Sequence, residues 1–192
     1  MKNVHKYRYL AVILFLTVLG YAFTQKQTSN LHNLETNIDT KIPFESIFVI
    51  FYIAYYPFVT IILFLYWNDE KNFKAMSSSI ILIAAVSLVI YQLFQTKTDR
   101  PSLHPTTMCD SLVYYLYSLD DPVNGFPSLH VSLTTISTIF VYEQSKHLFK
   151  FVLPIAILII ISTLFIKQHY VIDVMGGIFL AFAAFRCTKV LE

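Results

Sequence analysis

Three short stretches of this sequence carry the groups that could do chemistry: Lys97-Thr98-Asp99-Arg100-Pro101, Gly125-Phe126-Pro127-Ser128-Leu129-His130, and Lys167-Gln168-His169-Tyr170-Val171-Ile172-Asp173. Apolar segments separate them, so ionisable groups gather where a bilayer tolerates few, and such groups in a membrane point to a functional site. His169 and Asp173 are four apart, which places them on one face of a helix. A carboxylate so placed holds an imidazole in one tautomer and stabilises its cationic form. His130 supplies a second imidazole, while Arg100, Lys97 and Lys167 supply fixed positive charge. Two histidines, one orienting carboxylate and a cluster of cations describe a site that attacks a phosphate.

Phosphoryl transfer develops charge on nonbridging oxygens, so positioning and electrostatic stabilisation are what a protein must supply. Arg100 offers a planar fork of donors that matches a phosphate. The backbone amides around Ser128 lie near an expected helix N-terminus, where an anion is favoured. An imidazole such as His169 can attack phosphorus and form a phosphohistidine, splitting the reaction into two steps. His130 could then protonate the leaving alkoxide and later activate the incoming water or alcohol. A metal held by His130, His169 and Asp173 is the competing reading. Three nearby cations would repel a metal ion and attract an anion, so neither metal nor other cofactor is expected.

These residues must be positioned by a membrane fold. Of 192 residues, 56% are hydrophobic and 14% charged, against about 25% charged in a soluble domain. The length allows one domain, residues 1–192, with several spans and no sizeable soluble domain beside them. A net charge of +2 is too small to indicate a nucleic-acid partner. The expected partners are the bilayer and a phosphorylated lipid; the sequence is silent on oligomeric state. Cys109 and Cys187 have no metal-ligand spacing and fall on opposite sides of the topology below, so no disulfide between them is expected.

Apolar runs mark an all-α integral membrane protein, a six-transmembrane-helix bundle, with spans at about 9–23, 46–67, 78–94, from Pro127 onward, 151–166 and 170–185. The first run, behind Lys2, Lys6 and Arg8, also fits a signal peptide; a retained helix is the favoured reading. The loop at 24–44 reads as a solvated surface without chemistry. The run at 111–119 is apolar and aromatic but too short to span, which suits an interfacial helix. Pro127 opens the fourth helix, in which His130, Thr134, Ser137 and Thr138 form a polar stripe pointing into the bundle. With six spans and a cytoplasmic N-terminus, Lys2, Lys6, Arg8, Lys71, Lys74, Lys146, Lys150, Arg186 and Lys189 fall inside. Lys26, Lys41, Lys97, Arg100 and Lys167 fall outside, which obeys the positive-inside rule. The expectation is a multi-pass protein of the inner or plasma membrane, both termini cytoplasmic and all three motif stretches extracytoplasmic.

The order Arg-Pro, Pro-Ser-x-His and His-x-x-x-Asp, carried by Arg100-Pro101, Pro127 to His130 and His169 to Asp173, resembles the type 2 phosphatidic acid phosphatase (PAP2) superfamily. Together the three stretches are specific, although any one alone would be weak. The motif-bearing core covers about 78–185. The resemblance implies a six-helix bundle in which His130 is the acid and His169 the nucleophile of a metal-independent lipid phosphatase. Three positions depart from the family pattern. Leu129 stands where a glycine is usual, Leu93 where a lysine precedes Arg100, and Thr163 where an arginine precedes His169. Lys97 and Lys167 are the nearest replacements. A cation at position 167 followed by His-Tyr-x-Ile-Asp-Val looks more like the sphingomyelin and inositol-phosphoceramide synthases. Headgroup transfer between lipids is therefore the first alternative, and a non-catalytic lipid-binding protein the second. His104, in a second Pro-Ser-Leu-His at 101–104, reads as a loop coincidence, and His5, His32 and His147 as surface groups.

Overall fold

The computed structural model describes residues 4–26 and 30–190, so Lys2 of the basic N-terminus lies outside the described residues. Its helices follow the apolar runs: α1 (Val4–Gln25), α2 (Ser46–Leu65), α3 (Glu70–Leu93), α4 (Met108–Leu119), α5 (Leu129–Gln144), α6 (Lys146–Phe165) and α7 (Val171–Val190). Their starts are written in capping residues. Asp69 accepts from the Asn72 amide at α3, Thr107 and Asp110 form a reciprocal capping box at α4, and Ser128 and Ser145 cap α5 and α6. With Ser145 alone between them, α5 and α6 must turn back on each other as an antiparallel pair.

Among the described residues, five helices, α1, α2, α3, α6 and α7, are long and apolar enough to cross a membrane. The expected fourth span, α5, has 16 residues, a length of about 24 Å against the roughly 30 Å of a bilayer core. Its ends are the caps Ser128 and Ser145, and it forms the axis of the bundle, with α2, α3, α6 and α7 against it. The apolar core forms around it from Ile80 and Ile83 of α3, Ile136 and Phe140 of α5, Ile159 of α6, and Ala181 of α7. The polar stripe of α5 is buried as expected, yet Ser132, Thr134, Ser137 and Thr138 each donate to the carbonyl four residues back. Their hydroxyls satisfy themselves within the helix and leave methyl and methylene surface for packing.

Helix α1 leans on α3. A π-helical turn, Phe15–Gly20, interrupts it, and Gly20 lies against Leu88 of α3, whose side chain would have to shift to admit a Cβ. Near its start, the buried Lys6 ammonium donates to the Trp67 carbonyl and lies over the Trp67 and Phe73 rings at 5.1 and 5.8 Å. The interfacial helix expected at 111–119 is α4. It buries Val113 against Val49, Tyr52 and Ile166 and exposes Met108, Tyr114, Tyr115 and Leu119. Hydrogen bonds from Ser46 and then Thr107 hold the Asp110 carboxyl well below the usual carboxylate range, fastening α4 to the start of α2.

The loop after α1 overturns one expectation. Asp39 is buried rather than solvated. Its Oδ1 accepts from the Val171 amide at 2.8 Å, and its Oδ2 accepts from the Thr36 amide and hydroxyl at 2.8 and 2.6 Å. A carboxylate from a distant loop thus caps α7 at the helix end that carries the site. Two-residue strands reinforce the same edge: His32–Asn33 pairs in parallel with Thr96–Lys97. Asp39→Ala should lower stability by about 1–3 kcal/mol, read as earlier thermal unfolding in detergent, with Asp39→Asn milder. An unchanged transition in both variants would remove Asp39 from this role.

Candidate active site

A cavity of about 690 Å³ opens between α1 and α2, and His130, His169, Arg100, Gln168 and Asp120 lie together at one end of its wall. His130 stands in the first turn of α5 with its ring stacked on Tyr52 at 4.2 Å and tilted against Tyr55 at 3.9 Å. These two tyrosines, three apart on one face of α2, fix the plane of the imidazole. Its Nε2 is buried and has no hydrogen-bond partner among the described residues.

His169 precedes α7 and Asp173 lies in its first turn. The His169 Nδ1 is 3.5 Å from Asp173 Oδ2, and the carboxylate side chain is 1% exposed. That oxygen also accepts from the Tyr170 amide at 2.8 Å, so the carboxylate is locked by its own helix start. A Cβ on Gly125 would stand 2.9 Å from the same oxygen; glycine lets the loop backbone cover the carboxylate closely. The Asp173 carbonyl accepts from the Ser128 amide at 3.1 Å, which ties α7 to the start of α5. At Gly177 a Cβ would meet the Ser128 carbonyl at 2.8 Å, so this glycine permits the two helix starts to touch.

Arg100 comes from the loop between α3 and α4. Its Nη1 donates to the Asp120 carbonyl at 2.6 Å and its Nη2 to Gln168 Oε1 at 2.5 Å, with Asp120 Oδ2 at 3.4 Å. The guanidinium lies over the Tyr117 ring at 4.5 Å, while Nε is buried and has no hydrogen-bond partner among the described residues. The loop is itself held by α3 and the chain before α5. Phe126 N–H donates to Thr96 Oγ1, Asn124 N–H to the Thr96 carbonyl, and Tyr91 O–H to the Pro127 carbonyl.

The remaining expected phosphate ligands stand elsewhere. Lys167 adopts a positive φ of 52°, and its ammonium donates to the Asp39 and Ile42 carbonyls at 3.0 and 2.5 Å. It fastens the loop after α1 and lies outside the cavity lining. Lys97 is half exposed and pairs with Asp99 at 3.2 Å. Ser128 is fully buried; its hydroxyl caps α5 and its amide is spent on Asp173. Among the cavity-lining residues described, Arg100 is the cation.

Asp120 and Gln168 carried no role in the sequence reading, yet both touch Arg100. Asp120 Oδ1 also accepts from Tyr21 O–H at 3.1 Å and Gln25 Nε2 at 2.5 Å, both on α1. The available signal for Gln168 was its place next to His169. Since arginine has no acceptor, its contact with Oε1 fixes the amide orientation and turns Nε2 away as a buried, unpartnered donor.

Comparison with known proteins identifies the family. Residues 31–187 match the PAP2 superfamily. A curated relative, sphingosine-1-phosphate phosphatase 2 of mouse (Mus musculus), is 26% identical over 139 residues. That alignment covers 67% of this chain and 35% of the relative, so the chain spans about a third of that protein's length. No solved structure matches. The family match runs through Arg100, His130, His169 and Asp173 and takes in every helix after α1, and on that extent the chain belongs to the PAP2 superfamily.

Proposed function

We propose that this chain is a membrane lipid phosphatase that hydrolyses a lipid phosphomonoester through a phosphohistidine on His169. The observation that carries the reading is the meeting of two imidazoles and one guanidinium at the polar end of a single apolar cavity. The mouse relative, named for a sphingosine 1-phosphate phosphatase activity, supports a lipid monophosphate as the substrate class.

The phosphate oxygens are held by Arg100 and by the first turn of α5, whose N-terminus favours an anion. With Nδ1 of His169 facing Asp173, the Nε2 lone pair attacks phosphorus. A P–N bond forms as the ester P–O bond breaks, and protonated His130 gives its proton to the leaving alkoxide. Asp173 balances the imidazolium that results. Water then attacks phosphorus as neutral His130 takes its proton, the P–N bond breaks, inorganic phosphate leaves, and both histidines return to their starting forms. Lys167 was the feature that resembled the phosphotransferases, and its ammonium is engaged by the Asp39 and Ile42 carbonyls. Hydrolysis needs only water as acceptor and is the favoured reaction.

Phosphate release from a long-chain lipid monophosphate by the purified protein tests the reading. Transfer of the headgroup to an acceptor lipid would mark the synthase reaction instead, and neither product would mark a lipid-binding protein. His169→Ala should reduce release to background, and Asp173→Asn should cost roughly two to four orders of magnitude. Wild-type turnover in a folded His169→Ala variant would end this mechanism.

We place the site on the extracytoplasmic face, supported by the distribution of lysine and arginine. In a Cys109→Ser, Cys187→Ser background, Ser102→Cys should react with an impermeant thiol reagent added to intact cells. Lys146→Cys should react only after permeabilisation. The opposite pattern would move the site to the cytoplasmic face.

A further inference from the structure

We infer that the cavity below the two histidines is a receptor for one hydrocarbon chain of the substrate and sets the chain length the site accepts. This inference rests on the lipid phosphatase reading and concerns what that reading leaves open, the hydrophobic part of the substrate.

The cavity is divided by chemistry. Its ionisable and hydrogen-bonding groups, from Arg100 and Asp120 to the histidines, crowd one end, where Tyr21 and Gln25 of α1 meet Tyr52 of α2 and Tyr91 of α3. Away from that end the wall is Leu10, Ile13 and Leu14 of α1, Leu63 and Phe64 of α2, and Ile80 of α3. Two threonines interrupt this wall, and both are neutralised. Thr17 donates to the Ile13 carbonyl at 2.8 Å and Thr60 to the Tyr56 carbonyl at 2.7 Å, each within its own helix. Their methyl groups are what remain for packing.

Three helices agree on the depth. Lining residues span about 22 Å along α1 from Leu10 to Gln25, about 18 Å along α2 from Tyr52 to Phe64, and about 16 Å along α3 from Ile80 to Tyr91. A polar head over a long apolar wall matches a lipid phosphate whose chain runs along the helices. Helix α1 is essential to the wall, because the cavity lies between α1 and α2 while α1 rests on α3. A chain drawn from the bilayer exchanges one set of dispersion contacts for another. A chain too short to reach Ile13 leaves the far wall without partners and loses that exchange.

The test compares octyl, dodecyl and hexadecyl phosphate at equal surface fraction in lipid vesicles. Phosphate release is followed for the wild type, for Ile13→Trp in the far wall, and for Leu19→Trp on the exposed outer side of α1. The wild type should turn over hexadecyl phosphate roughly tenfold faster than octyl phosphate, the expected effect of filling the far wall. Ile13→Trp should lower hexadecyl turnover toward the octyl rate and so erase that preference, and Leu19→Trp should keep the wild-type profile. A flat wild-type profile, or an Ile13→Trp profile like the wild type, would overturn the inference. A second measurement needs no turnover: hexadecyl phosphate with a diazirine at its chain terminus should label residues 10–14. Labelling confined to outward residues such as Leu19 and Phe23 would overturn it. Labelling of 10–14 without phosphate release from any substrate would sink the phosphatase reading and keep the chain receptor.

Discussion

The structure depends on one buried carboxylate. Asp173 sits in the first turn of α7, almost fully withdrawn from solvent, where an isolated charge would be costly. Its compensation is one-sided: Oδ2 takes the Tyr170 amide and faces His169, Oδ1 has no hydrogen-bond partner among the described residues, and the N-terminal end of α7 adds favourable dipole. The same residue's carbonyl takes the Ser128 amide. One amino acid therefore faces His169 and ties the start of α5, with His130, to the start of α7. The glycines at 125 and 177 are the steric condition for that closeness.

Around this junction the fold separates rigid support from open space. Helix α5 is sheathed by four helices and cannot shift without disturbing the core. On the opposite side, α1 stands off from α2 across the cavity. The connection between these regimes is polar. Asp120, held by Tyr21 and Gln25 of α1, also contacts Arg100, and Gln168 links Arg100 to the segment that carries His169. The position of α1 is thereby felt at Arg100 through a chain of hydrogen bonds. Buried networks of this kind are sensitive to the loss of any member.

Much of this was legible in the sequence, for definite reasons. A bilayer demands long apolar runs, so α1, α2, α3, α6 and α7 announce themselves, and the short aromatic run at 111–119 falls within the helix α4. The spacing of His169 and Asp173 is a local property of one helix start. Family membership followed from three motifs in order. Other features were hidden because their partners are remote. Asp39 looks like a loop acid until Val171, 132 residues away, is brought to it. Lys167 has the right distance in sequence from His169, but a left-handed turn carries its ammonium to the Asp39 and Ile42 carbonyls. The stacking of Tyr52 and Tyr55 on His130 likewise requires knowing that α2 packs on α5.

The most direct measurement is a rapid acid-free quench of the purified protein during turnover of a lipid monophosphate labelled in its phosphate, followed by peptide mapping. The account predicts a covalent phosphoryl group on His169, stable to alkali and labile to acid as a phosphoramidate is, accumulating further in a His130→Ala variant supplied with a substrate whose leaving group needs no proton. Turnover with no labelled histidine, or with the label on another residue, would contradict it.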